Sequence, residues 1–174
     1  EDEAIAFDGI EFNPQLRWID VISEVAFLVM DLYARAESHL ARRFLNKYLE
    51  ISGDYEALAL LPLYLVYRAL VRAKVTAIRW GQSGSGNGEK GAVEREFDAY
   101  LAIAEGFTKP LKRGVIITRG MSASGKSTLT GALLERLGAI RLRSDVERKR
   151  LFGMRGDEDG RAPPGAGVYS TAAS

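Results

Sequence analysis

Residues 120–128 read Gly-Met-Ser-Ala-Ser-Gly-Lys-Ser-Thr, which fits G-x-x-x-x-G-K-[ST] at every fixed position. No other run constrains the chain as much, because such a loop works only between a strand that delivers it and a helix that leaves it. Val115-Ile116-Ile117 supplies a short β-branched stretch before the loop. After it, Leu129, Ala132, Leu133 and Leu137 recur at helical spacing and Gly138 is a suitable residue to end the helix. Backbone N–H groups from Gly120 to Gly125 are placed to curl around phosphate oxygens, and the helix that follows points its positive end at the same anion. Gly120, Met121, Ser122, Ala123, Ser124, Gly125, Lys126, Ser127 and Thr128 are therefore the expected nucleotide-binding set. In it Lys126 reaches the β and γ phosphates of ATP and Ser127 holds Mg²⁺. A Gly/Ser turn with an incidental lysine is the competing reading, and the strand-loop-helix context argues against it.

Composition narrows the rest. An apolar content of 47% over 174 residues supports an ordinary globular core in one or two domains. The longest uncharged apolar stretch, Ala57 to Tyr67, contains Pro62 and is too short to cross a bilayer, so no membrane partner is expected. Acidic Glu1, Asp2 and Glu3 stand where a secretory leader needs basic residues. The absence of cysteine excludes disulfides, thiolate chemistry and cysteine-bound zinc, and fits a cytoplasmic setting. The net charge of +1 conceals a division: residues 1–108 carry 11 basic and 17 acidic side chains, residues 109–174 carry 13 and 6. A basic second half suits a polyanion, and ATP meets that description. Nucleic acid is not expected, since Phe152 and Tyr169 are the only aromatics after Phe107.

Along the chain, Ala4 to Phe7 reads as a short strand ending at Asp8-Gly9, with a loop through Asn13-Pro14. Ile22, Val25, Ala26, Val29, Tyr33, Ala36 and Leu40 form the stripe of one long helix, and Phe27, Leu28 and Met30 imply burial on more than one side. Asp54 suits the N-cap of a short helix that stops near Pro62; Pro62 to Trp80 is again helical. Gly81 to Gly91 holds five glycines and two serines and reads as a flexible loop, and Ala92 to Phe107 as a further amphipathic helix. Ala139 to Arg143 reads as a second strand, followed by a basic helix from Ser144-Asp145 through Leu151; the tail from Gly160 supplies no strand. The expected fold class is α/β overall, a mostly helical unit followed by the first part of a P-loop domain with a parallel sheet between helices. The boundary is placed between units 1–107 and 113–174. Only 62 residues follow Lys112, and neither a Walker B carboxylate nor a lid segment is visible, so the chain is expected to be a piece of a longer protein.

The segments FDGIEFNPQLRWIDVISEVAFLVMDL, YLVYRALVRAKV, ITRGMSASGKSTL and RLRSDVERKRL together resemble a bacterial two-domain family. In that family an aminoglycoside-phosphotransferase-like, kinase-like domain precedes a P-loop kinase domain. Its members are described as bifunctional aminoglycoside phosphotransferase/ATP-binding proteins or AAA-family ATPases. The resemblance covers about residues 4–155 and makes unit 1–107 the C-terminal part of the phosphotransferase-like domain. It implies that Asp8 is the metal-binding Asp after a strand, and that Asp20 is the buried acid bracing a catalytic loop. That loop would lie before Glu1, so the first unit is not expected to transfer phosphate by itself and reads as a helical scaffold. In the second unit the resemblance implies that Asp145 lies near the acceptor hydroxyl and orients or deprotonates it. The alternative for Asp145 is an N-cap of the helix beginning at Val146. Arg143 and Arg148 are candidates to steady phosphates, with a solvated basic helix face as the alternative.

His39, the only histidine, reads as a surface residue. Arg68, Arg72 and Lys74 read as a polar helix edge, and Asp157-Glu158-Asp159 as a hydrated turn. The function expected from all of this is a kinase that moves the γ phosphate of Mg·ATP to a small hydroxylated acceptor, through Lys126 and Asp145, with Ser127 and Asp8 toward metal. A nucleotide-dependent switch and a non-functional truncated fragment are the alternatives.

Overall fold

The computed structural model describes residues 18–82, 87–110, 114–121 and 123–154. The expected strand Ala4–Phe7, Asp8, Ser122, the acidic run 157–159 and the tail from Gly160 lie outside the described residues. Among the described residues six α-helices follow one another: α1 (Val21–Ala34), α2 (Ser38–Ser52), α3 (Leu61–Gln82), α4 (Asn87–Thr108), α5 (Lys126–Leu137) and α6 (Ser144–Leu151). A 3-10 turn at Glu56–Ala59 precedes α3; its N-cap is Tyr55 and not the expected Asp54, which stands one residue earlier with its Oδ1 accepting from the Ala57 N–H at 3.3 Å.

Apolar periodicity explains how the first four helices pack. Leu61, Leu65, Ala69 and Ala73 are buried at every fourth position of α3, a ridge whose small second half lets neighbouring helices approach closely. Ile22, Val25, Ala26, Val29 and Met30 of α1, Ala41 of α2, and Tyr100 and Ala104 of α4 complete one core with it. α3 and α4 form an antiparallel hairpin, with Arg79 paired to Glu96 near its turn and Arg72 Nε donating to Tyr100 OH at 3.3 Å further down. Tyr33 meets Phe107 edge to face, with centroids 5.2 Å apart.

The single long helix expected from Ile22 to Leu40 is two. Ala36 takes a left-handed φ of 61°, and Glu37 N–H reaches back to the Leu32 carbonyl at 2.8 Å, a backbone closure that ends α1 and redirects the chain into α2. The Gly/Ser stretch is also more helical than its composition implies: α3 runs to Gln82 and α4 begins at Asn87. Asp20 is not a buried acid. It is exposed and caps α1, accepting from Ile22 N–H at 3.1 Å and from Tyr64 OH at 3.2 Å.

The larger correction concerns fold class. The expected α/β architecture is not formed: among the described residues there is no strand, and hence no parallel sheet. Val115, Ile116 and Ile117 run into the loop without a ladder partner and are 88%, 67% and 86% exposed. A strand exists only as one member of a pair. The second expected strand, 139–143, lies elsewhere, with its edge groups taken by a side chain of α2. Without a sheet to cover it, the apolar stripe of α5 is largely turned outward: Leu129 and Leu137 are exposed, and Leu134 is the buried one.

Met30 is fully enclosed in the shared core. Truncating it in Met30→Ala is expected to lower unfolding free energy by about 2–5 kcal/mol, read as a shift in the urea midpoint at unchanged slope.

Candidate functional site

The phosphate-loop motif runs from Gly120 into the start of α5. Ala123 and Gly125 both hold left-handed φ values, 61° and 80°, and Ser124 N–H closes on the Met121 carbonyl at 3.3 Å. Gly125 is the N-cap of α5 and brings no side chain to cap it, so the first-turn amides keep their donors for a ligand. Gly120 is close-packed in a different sense: a Cβ there would sit 3.0 Å from Ser124 Oγ.

Lys126 folds back over the loop. Its ammonium donates to the carbonyls of Gly120, at 2.7 Å, and Met121, and approaches Ser124 Oγ at 3.4 Å. Ser127 is exposed in the first turn of α5, and its carbonyl accepts from Thr130 Oγ1 at 3.3 Å and from Arg141 Nη1 at 3.2 Å. Thr130 also ties the Lys126 carbonyl at 2.8 Å. Ammonium, amides and exposed hydroxyl form a donor set that suits a triphosphate with its metal. No group of three or more His, Cys, Asp or Glu able to hold a metal occurs among the described residues.

Asp145 lies in the first turn of α6, whose bounds, Ser144–Leu151, match the sequence reading. It is not the N-cap, a position held by Arg143; its Oδ2 is 3.4 Å from Nζ of the buried Lys149. Arg143 extends from the segment before α6 to Glu50 Oε1 at 3.5 Å and so pairs with α2.

The residues that sequence reasoning missed lie on α2. Arg42, Asn46 and Glu50 recur at every fourth position and form a polar stripe along one face. Arg42 Nη1 donates to the carbonyls of Glu135 and Arg136, at 2.6 and 2.9 Å, the open C-terminal end of α5. Asn46 Nδ2 donates to the Ala139 carbonyl at 3.0 Å while its Oδ1 accepts the Arg141 N–H at 2.8 Å. Glu50 takes Arg141 Nη2 at 3.3 Å, and its own carbonyl accepts from Arg150 Nη2 at 2.7 Å. Arg150 crosses the end of α2 at Gly53, where the left-handed φ of 75° favours glycine and a Cβ would meet its Nε at 2.6 Å, so a larger residue there would displace the guanidinium. Tyr55 OH joins α6 through Glu147 at 2.9 Å. The one hint in the sequence was a poor helix former, Asn46, in mid-helix.

Comparison with known proteins adds an independent line. A family model described as an AAA domain matches residues 115–172, a likeness that supports a P-loop nucleotide-binding segment there. Uncharacterized proteins of Mycobacterium bovis and Mycobacterium tuberculosis are 35% identical over 153 residues, which is 87% of this chain and 29% of theirs. The chain thus spans less than a third of the length of the curated relatives it matches. No solved structure matches it significantly. These matches give the first unit relatives without a described activity, and no phosphotransferase-like assignment.

Burial alone would raise the Glu50 carboxyl, but the hydrogen bond from Lys47 and the charges of Arg143, Lys47 and Arg141 outweigh it and hold the group below its ordinary value of 4.5. Its stabilisation is therefore fully present above that value and is lost as pH falls through the lowered folded value. Urea midpoints taken from pH 7 down to pH 3 are expected to drop less steeply in Glu50→Gln than in the wild type.

Proposed function

We propose that residues 113–174 form the nucleotide-binding part of an ATP-dependent kinase whose acceptor is a small hydroxylated molecule. The observation that carries this reading is the loop itself: a complete phosphate-loop motif whose Lys126 lies over the loop it would share with the phosphates. The amides of Gly120 to Thr128 would bind the phosphate oxygens, with Ser122 and Thr128 in the set by sequence. Lys126 would leave the Gly120 and Met121 carbonyls for the more strongly attracting phosphate charge. Ser127 would hold Mg²⁺, which supplies charge neutralisation between the β and γ phosphates when bound. Asp145, whose Oδ2 lies 3.4 Å from Lys149 Nζ, would orient the acceptor hydroxyl and accept its proton.

Unit 1–107 is proposed as a scaffold that supports this site, and its likeness to the C-terminal part of a phosphotransferase-like domain rests on its sequence segments. Asp8, the second proposed metal residue, lies outside the described residues. A nucleotide-dependent switch is the second reading, and the Arg42–Asn46–Glu50 stripe favours it because it ties the phosphate-loop helix to the first unit.

Calorimetric titration of Mg·ATP into the wild-type chain and Lys126→Ala is the test. Saturable binding by the wild type, weakened about 100-fold or lost in the variant, is expected, since the charged hydrogen bonds of one lysine contribute roughly 1.5–3 kcal/mol. Equal affinity in the two folded proteins would reject the phosphate site.

A further inference from the structure

We propose that Glu50 is a positioning residue for the phosphate loop, acting through Arg141 to set the affinity of the site for Mg·ATP. This rests on the phosphate-site reading above and adds its regulation by the first unit. Glu50 is on α2 in unit 1–107, and its side chain is only 16% exposed. It faces three cations: Arg141 Nη2 at 3.3 Å, Arg143 Nη1 at 3.5 Å and Lys47 Nζ at 3.3 Å. Arg141 alone among these continues to the loop. Its Nη1 donates to the Ser127 carbonyl at 3.2 Å, so one guanidinium spans from a carboxylate of the first unit to the first turn of the phosphate-binding helix.

The geometry leaves Arg141 few other arrangements. Its backbone N–H is held by Asn46 Oδ1, two of its guanidinium nitrogens are engaged, and the third, Nε, is buried without a partner. A planar guanidinium fixed at both ends transmits a displacement from one end to the other. Without the Glu50 charge, Arg141, Arg143 and Lys47 would stand together uncompensated and repel, and Arg141 would leave the Ser127 carbonyl. Ser127 carries the proposed metal hydroxyl, so a shift of its peptide moves both the hydroxyl and the neighbouring amides away from the phosphates. Linkage then requires the converse: Mg·ATP on the loop strengthens the grip of α2.

Calorimetric titration of Mg·ATP into the full chain tests the idea, with thermal unfolding measured on every variant. Glu50→Gln and Arg141→Ala are each expected to weaken binding about 5-fold or more. The double variant is expected to be no weaker than the poorer single one, because both remove the same link. Glu50→Asp should recover part of the loss. Lys47→Gln, which removes a partner of Glu50 that does not reach the loop, should leave affinity unchanged. That pattern separates positioning from plain destabilisation, which would follow unfolding temperature and not the route through Arg141. If Glu50→Gln does not fold, Arg141→Ala and Glu50→Asp read the same link from its two ends. Wild-type affinity in these variants, or losses that simply add in the double one, would overturn the positioning role while leaving the phosphate site intact. A folded wild-type chain that does not bind Mg·ATP would overturn both.

Discussion

The placement of everything after the phosphate loop depends on backbone groups that cannot satisfy themselves. The last carbonyls of α5 and the peptide groups of 139–141 have no helix or ladder to complete them, and a buried peptide group without a partner is costly. Arg42 and Asn46 supply the partners from successive turns of one helix face, and Glu50, one turn further on, takes the Arg141 side chain. The first unit is assembled differently, by an apolar ridge on α3 and its complements on α1 and α4. Hydrophobic burial is nondirectional and tolerates sliding, whereas hydrogen bonds to named carbonyls fix register. That difference is why the polar stripe, and not the core, sets where α5 points.

Within the loop, Lys126 plays a double part. All three of its contacts are to the loop's own oxygens, so the ammonium braces the turn that it is also proposed to serve. The left-handed residues Ala123 and Gly125 set the curvature, and the first-turn amides of α5 remain available. Binding on this view is an exchange of acceptors, neutral carbonyls for charged phosphate oxygens, and the gain lies in the difference between the two. The reading needs only modest rearrangement of one flexible side chain.

Local signals were legible in the sequence where the local chain decides the outcome. The helix after the loop ends at Gly138 as read, the basic helix spans Ser144 to Leu151, and α3 starts beside Pro62. Strands failed for the complementary reason. Val115-Ile116-Ile117 has strong β preference, but preference does not provide a neighbour, and residues 139–143 gave their edge to Asn46. The break at Ala36 was invisible because alanine is the best helix former and seldom adopts a left-handed φ. Nothing in the order of residues singles out Arg42, Asn46 and Glu50, since it does not tell a stripe that meets water from one that meets partners about 90 positions later. Of the proposed site, the loop was legible from its motif alone, while its link to the first unit was not.

Asn46 has one further consequence. Its side-chain amide takes the Ala139 carbonyl and the Arg141 N–H together, the same two groups by which a neighbouring strand would join this side of the segment. One primary amide therefore stands in for a strand. Docking of α2 and addition of a strand along that side are mutually exclusive states of the same hydrogen-bonding groups. The helix thus serves as a guard against unwanted association, occupying a template on which foreign chains could otherwise line up.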